Sequence, residues 1–316
     1  MWRSDDRVIG PEPIAATDIP AINRLFSDAF TDRYRRDGLQ GVRVPFLNPA
    51  VWRFALANAG AGAMLWRDGR GEVIAFNLAH QSGIEGWMGP LAVRPDRQGK
   101  GLGVAIVEAG VAWLKAAGCT IIGLETMPRT VDNIGFYSRL GFLPGPLTVS
   151  LRRDLLAASP ASDHLTLATG GEALLARCAA LTEEIAPGRR YEREVALTRD
   201  LSLGGLAAVE RGGVLAGHAV WHAVPLAQSR GHEELRVLKL VARDTEAAVA
   251  VLDVVVAEAG RLRQPQVVVR CQGSAAALYA ALIGTGWRVQ WTDLRMTLAG
   301  YPEPDPAGVV LSNWEI

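Results

Sequence analysis

The sequence predicts an α/β (α+β) fold built as two successive units, residues 1–156 and 157–316, each a mixed sheet flanked by helices. Three observations carry this. An apolar run at residues 87–93 passes through a glycine-rich turn into apolar residues at helical spacing. Short charged and glycine-containing turns separate pairs of apolar runs in each half, the signal of hairpins. The order of these elements in the first half recurs in the second, at roughly half the chain length.

Residues 8–14 read as a first strand. Thr17-Asp18-Ile19-Pro20 then caps and opens a helix with Ile22, Leu25, Phe26 and Phe30 on one face, ended by Arg33-Tyr34-Arg35-Arg36-Asp37-Gly38. Residues 39–50, with Pro45 and Pro49, are expected to be irregular, and residues 51–59 helical. Residues 63–66 and 73–80 flank Arg67-Asp68-Gly69-Arg70-Gly71 as a hairpin, and the strand ending at Val93 pairs with it. Leu102, Ala105, Ile106, Ala109, Ala112, Trp113 and Ala116 mark the next helix, and Gly118 stops it. The strand at residues 120–127 then returns parallel to the earlier one by a right-handed crossover. A short helix and turn follow at residues 133–142.

The turn before that longer helix has its own chemistry. Gly99, Gly101 and Gly103, flanked by Arg97 and Lys100, let the backbone approach a ligand and aim successive N–H groups at one point. A helix beginning there adds unpaired N–H groups and the positive end of its dipole, so the natural guest is a phosphate or pyrophosphate. The spacing Gln98-x-x-Gly101-x-Gly103 is neither G-x-x-x-x-G-K-[ST] nor G-x-G-x-x-G, which sets aside an NTPase loop and a dinucleotide fingerprint. A glycine-rich turn without a ligand is the plainer alternative.

Residues 151–162 pass from a strand into a small-residue linker, after which the pattern repeats. Residues 165–167 and a helix at 172–184 echo the start, and residues 206–210 and 214–221 flank Arg211-Gly212-Gly213 as a second hairpin. Residues 234–241 parallel the run into the glycine loop, residues 266–271 the run into Glu125, and Leu278-Tyr279 with Gly286-Trp287 the ending. Between strand and helix, however, the second half reads Ala242-Arg243-Asp244-Thr245-Glu246-Ala247, with no glycine and two acids. Carboxylates there compete with a pyrophosphate for the helix N-terminus.

The 33 basic and 33 acidic side chains cancel, and no long basic block is present, so neither nucleic acid nor an anionic membrane is expected as a partner. Residues 1–7 are polar and lack the apolar core of a signal peptide. The run closest to spanning a bilayer, residues 247–259, is broken by Asp253 and Glu258, and a cytoplasmic location is expected. Cys119, Cys178 and Cys271 lack metal-ligand spacing and are expected to be buried thiols; no metal is expected.

Two motifs together resemble the GNAT superfamily of acetyl-CoA-dependent N-acetyltransferases. Gln98-x-x-Gly101-x-Gly103 is similar to that family's pyrophosphate loop, and Phe136-Tyr137-x-x-Leu140-Gly141-Phe142 to its later helix-to-strand motif; they occur in order, separated by one helix and one strand. The resemblance implies two tandem GNAT-like domains, each with a mixed, mostly antiparallel central sheet. The first, residues 1–156, would bind acetyl-CoA and be active, and the second, residues 157–316, would be degenerate. The implied reaction moves acetyl from acetyl-CoA directly to a primary amine of a small molecule or peptide. Gln98, Gly99, Lys100, Gly101, Leu102, Gly103 and Val104 would hold the pyrophosphate, the backbone of Leu91, Ala92 and Val93 the pantetheine arm, with Phe136 alongside. Many family members place an asparagine seven residues before the motif tyrosine; here that position is Thr130, while Asn133 lies one helical turn before Tyr137, and either is a candidate for the coenzyme contact.

Such a transfer requires a held thioester, stabilisation of the developing oxyanion, deprotonation of the ammonium and protonation of the departing thiolate. Tyr137 aligns with the family's tyrosine that faces the thioester sulfur, and a phenol with a pKa near ~10 suits donation to a thiolate. An aromatic bridging helix and core is its structural alternative. Glu125, twelve residues earlier, is expected as the base, at a position that ribosomal-protein acetyltransferases use through water. With an ordinary pKa near ~4.3 it must be raised by burial or act through a chain of waters. Glu85 and His80 are rivals, and binding a cationic acceptor is the other reading of Glu125. The region between the first two strands is implied to shape the acceptor pocket, and Arg33, Arg35 and Arg36, with Arg189 and Arg190, would meet an acidic acceptor or form a solvated face. A non-catalytic acyl-CoA sensor and a different acyl donor are the alternatives in function, and monomer or homodimer in assembly. The tandem mycothiol-forming acetyltransferases keep their working motif in the second half, and the reversed arrangement here argues against that identity.

Overall fold

A computed structural model describes residues 7–155, 165–231 and 233–314 of the chain. The boundary expected at 156/157, most of the small-residue linker and residues 1–6 lie outside these. The first half runs β1 (Val8–Pro13), α1 (Ile19–Arg36), α2 (Pro49–Ala59), β2 (Ala63–Asp68), β3 (Val73–Ser82), β4 (Glu85–Val93), α3 (Leu102–Ala116), β5 (Ile121–Thr126), α4 (Val131–Arg139) and β6 (Phe142–Asp154). The second runs β7 (Leu165–Thr166), α5 (Leu167–Ile185), α6 (Glu192–Asp200), β8 (Gly204–Arg211), β9 (Val214–His222), β10 (Leu235–Ala242), α7 (Thr245–Arg261), β11 (Gln266–Gln272), α8 (Ala276–Gly284), β12 (Arg288–Leu298) and β13 (Val309–Ser312). The local reasons are those of the sequence: Pro20 lies in the first turn of α1, and the Asn48 side chain accepts from Ala50 N at 3.0 Å and opens α2 at Pro49. The sequence patterns do not place α6, β13 or the full length of β6, which carries Pro144 and Pro146.

Among the described residues the strands form one mixed, mostly antiparallel sheet, ordered β1-β2-β3-β4-β5-β12-β6-β11-β10-β9-β8-β7, with β13 on β10. The parallel pairs are β4 with β5 and β10 with β11. The order contains an exchange. β5 takes β12 as its antiparallel neighbour, through Leu294 opposite Thr126 and Arg295 opposite Glu125, while β6 of the first half lies between β12 and β11. β6 of the first half and β12 of the second thus change places between the halves. The cores record the same exchange: Met296 and Leu298 of β12 pack with Ile106, Leu124 and Phe142, while Leu151 of β6 packs with Val251, Val267 and Leu282.

Charges are buried along this seam. Arg295, 2% exposed, lies with its guanidinium 3.5 Å over the Trp87 ring and reaches Glu125 Oε1 at 2.8 Å and Glu303 Oε2 at 2.7 Å. Lys239 stands 3.9 Å from both Glu85 and Glu194 and 3.7 Å over the Trp314 ring. Cys119, Cys178 and Cys271 are buried and unbridged, and no helix among the described residues is long and apolar enough to cross a membrane.

Because Met296 of the second half is fully buried in the first half's core, Met296→Ala is expected to remove roughly 2–5 kcal/mol of unfolding free energy. In a urea titration followed by tryptophan fluorescence and circular dichroism, the loss is expected in one transition shared by both probes; a shift confined to a separate first-half transition would contradict the exchange.

Candidate active site

The site begins where two parallel strands part. β4 and β5 are hydrogen-bonded from Glu85 opposite Ile121 to Met88 opposite Leu124, and the pairing stops there. At Gly89 β4 bulges, its register with β3 shifting between Asn77 and Ala79, and residues 91–93 pair with β3 alone. The wedge between them opens into a cavity of ≈ 510 Å³, lined by Gly89 to Val93 on one wall and by Leu124, Glu125, Thr126 and Met127 on the other. His80 holds the bulge, its Nε2 donating to Gly89 O at 2.9 Å; burial pushes the imidazole down to about 3, so it is neutral at physiological pH.

The glycine loop closes the mouth of the wedge. Gly99 (φ 75°) and Gly101 (φ 84°) take left-handed conformations, and a Cβ built on either would meet nothing within 4 Å, so both face open space. Gly101 is the N-cap of α3 and no side chain caps it, so the Leu102 and Gly103 N–H groups at the rim of the opening have no intrahelical acceptor. Gln98, Gly99, Gly101, Gly103 and Val104 line the cavity, and Arg36 of α1 reaches the loop through Gln98 Oε1 at 3.1 Å. Lys100 is exposed and does not line the cavity, and Leu102 is turned into the core beneath the loop. The free N–H groups, the helix N-terminus and the open space fit a pyrophosphate. The edge of Leu91, Ala92 and Val93 that β5 leaves, where the Gln98 side chain donates to Val93 O at 3.0 Å, fits an extended arm that hydrogen-bonds as a strand does.

Tyr137 and Phe136 project from α4 into the same cavity, rings 5.1 Å apart. Burial pushes the Tyr137 phenol well up, and its hydroxyl meets no protein hydrogen-bond partner among the described residues. The two candidates for the asparagine contact separate. Asn133 lines the cavity, whereas Thr130 is fully buried and donates from Oγ1 to Asp37 Oδ2 at 2.6 Å, tying α4 to the end of α1.

Glu125 lines the cavity, but its carboxylate is held by three donors: Arg270, Arg295 and the Thr148 hydroxyl. Burial pushes the carboxyl up, yet the two guanidiniums outweigh it and hold it below the usual range. Of the two routes to base duty, elevation by burial is therefore not found, which leaves the one through a chain of waters. Its rivals lie off the cavity: Glu85 is fully buried, accepting from Ser312 Oγ at 2.6 Å and 3.6 Å from Arg189, and His80 is occupied by the bulge. A carboxylate the sequence did not single out stands here instead. Asp293 of β12 lines the cavity from the second half, Oδ2 accepting from Arg270 at 2.8 Å and Oδ1 from Trp291 Nε1 at 3.2 Å. No local signal marks it, because strand exchange alone brings it in. No cluster of three or more potential metal ligands occurs among the described residues.

The corresponding wedge in the second half is filled. β10 and β11 pair only from Leu235 to Val237, and beyond the parting β13 lies antiparallel against Lys239 to Ala242. At the helix end Asp244 caps α7, accepting from Ala247 N at 2.8 Å and pairing with Arg211. A strand and a carboxylate thus sit where the first half leaves an open edge and free N–H groups.

Residues 20–142 match the acetyltransferase (GNAT) family. Over 130 residues, 40% of this chain and 74% of the relative, the sequence is 28% identical to an L-methionine sulfoximine/L-methionine sulfone acetyltransferase of Pseudomonas paraeruginosa. It is 32% identical over 130 residues to the chloroplastic serotonin N-acetyltransferase 2 of Oryza sativa subsp. japonica, covering 41% of this chain and 58% of that protein. In fold it is similar to a tandem GNAT protein from the clavulanic acid biosynthesis pathway, with a TM-score of 0.59 at 15% identity over 94% of this chain and 99% of the other. The wedge, the glycine loop and the motif tyrosine of the one cavity all lie within residues 20–142, the segment that matches the GNAT acetyltransferase family.

Proposed function

We propose that the chain transfers an acetyl group from acetyl-CoA to a primary amine of a small molecule or peptide, at one site per chain located in its first half. The observation that carries this is the convergence of the parted β4 edge, the glycine loop and the Tyr137 hydroxyl on one cavity. Acetyl-CoA supplies an activated thioester. The loop from Gln98 to Val104 receives its pyrophosphate on backbone N–H groups, and Leu91 and Val93 hydrogen-bond the pantetheine arm as a neighbouring strand would. A β4 N–H beside the bulge polarises the carbonyl, and Tyr137 protonates the departing sulfur. Glu125 acts as an ionised anchor for Arg270 and Arg295. Relatives named for acetylating methionine sulfoximine and serotonin support a small amine as acceptor. The filled wedge and Asp244 support a second half that holds no coenzyme.

Isothermal titration with acetyl-CoA is expected to give one site per chain. Gly103→Glu, at a helical position in the first turn of α3, puts a negative charge at the pyrophosphate seat and is expected to weaken binding at least ~10-fold, with the thermal midpoint as the control for folding. Two sites would refute the single-site reading, and none the coenzyme itself.

Tyr137→Phe separates an enzyme from an acyl-CoA sensor. Turnover, followed by thiol release with a panel of primary amines, is expected to fall roughly 100-fold while acetyl-CoA affinity is unchanged. Unaltered turnover would remove Tyr137 from the chemistry.

A further inference from the structure

We propose that Asp293, carried into the first half's cavity by the exchanged strand β12, receives the proton of the acceptor ammonium, and that the adjoining cavity between the halves holds the body of an aromatic or otherwise apolar primary amine. This rests on the acetyl-transfer reading above and names the acceptor side of that site.

A second cavity of ≈ 340 Å³ lies beside the first, and Asp293 lines both. Its walls include Phe26 and Tyr34 of α1, Leu226, Trp291 and Trp314, with the Tyr34 and Trp291 rings 6.4 Å apart, and, beside them, Glu234 and Arg236, paired with each other at 3.8 Å. Such a lining suits an apolar body and the ring faces suit a nearby cation. A molecule seated there presents its amine at the junction, where Asp293 is the carboxylate, 15% exposed and so accessible from the cavities. Arg270 also lines this chamber and would repel an ammonium, but its guanidinium is already committed to Glu125 and Asp293.

Pairing decides which carboxylate takes the proton. Protonating Glu125 would strip Arg270 and Arg295 of a shared counter-charge and weaken the hydrogen bonds it accepts from them and from Thr148. Protonating Asp293 leaves Arg270 still paired with Glu125, and its other donor is the neutral Trp291 ring. The groups facing Asp293 are Tyr34 from α1, Glu125 from β5, Arg270 from β11 and, through Glu125, Arg295 of its own strand; Asp32, Arg33 and Arg36 line the larger cavity farther along α1. Burial raises the Asp293 carboxyl and the Glu125 charge adds to this, against the pull of Arg270, so the two carboxylates diverge, as acid–base pairs in active sites do. In the reaction the C–N bond forms and the C–S bond breaks. Of the two N–H protons lost, one leaves through Asp293 to solvent and the other replaces the proton that Tyr137 gives to sulfur, yielding amide, thiol and one released proton.

The test uses the full chain with acetyl-CoA and 2-phenylethylamine. The parent protein is expected to bind the amine and to show turnover that rises with pH through the Asp293 carboxyl, above the ordinary value of an aspartate. Asp293→Asn is expected to keep acetyl-CoA affinity, lose about 100-fold or more in kcat and lose that acid limb; Asp293→Glu, which keeps a carboxyl, is expected to restore the limb and part of the rate. Parent-like turnover and pH dependence in Asp293→Asn would overturn the proposal. Acetyl-CoA binding without any binding of the amine would overturn the acceptor class while leaving acetyl transfer standing, whereas a parent protein that binds no acetyl-CoA would show instead that the acetyl-transfer reading, and this one with it, is wrong.

Discussion

The seating of β12 between β5 and β6 is the constraint from which the other features follow. β5 parts from β4 after Met88, so on that side its upper half has no ladder. What holds it in line is the opposite edge, where Thr126 and Glu125 lie against Leu294 and Arg295 of a strand that belongs to the other half of the chain. Without that neighbour the open wall of the cavity would be an unpaired strand edge, a state folded proteins avoid. The wedge that admits a ligand and the exchange that joins the halves are therefore two sides of the same strand.

The exchange also explains why so much charge is buried at the seam. Arg295 enters the first half's territory on β12 and must meet its counter-charges there, which Glu125 and Glu303 provide. Lys239, fully buried and pushed down by desolvation, is sustained by Glu85 from the first half and Glu194 from the second. Such pairs contribute little net stability when complete, but losing one partner leaves an uncompensated interior charge. They specify one way of bringing the halves together more than they strengthen it.

A duplicated architecture with one open cleft has a physical account. Both halves part their central parallel strands at corresponding places, yet in the second β13 completes the ladder and Asp244 satisfies the helix end. The backbone groups that would recognise a ligand are spent internally. In the first half no strand takes β13's place beside Leu91 to Val93, where only the Gln98 side chain donates, to Val93 O at 3.0 Å, and no carboxylate caps the helix that Gly99 and Gly101 lead into with positive φ.

The sequence by itself determined the local elements and the anion-seeking loop. The stripe from Leu102 to Ala116, the two hairpins, the linked Gln98-to-Gly103 and Phe136-to-Phe142 motifs and the recurrence in the second half are all written in spacings of a few residues, which periodicity and turn chemistry make readable. The length of β6 escaped because Pro144 and Pro146 speak locally for a turn, while pairing with β12 overrides them. Tertiary structure alone decided that Asn133 faces the cavity and Thr130 does not, that Glu125 is clamped by Arg270 and Arg295, and that Asp293 stands at the junction of two chambers. The clamp on Glu125 joins residues 145 and 170 positions apart, and no local rule of propensity or spacing encodes which distant edge a strand will fill.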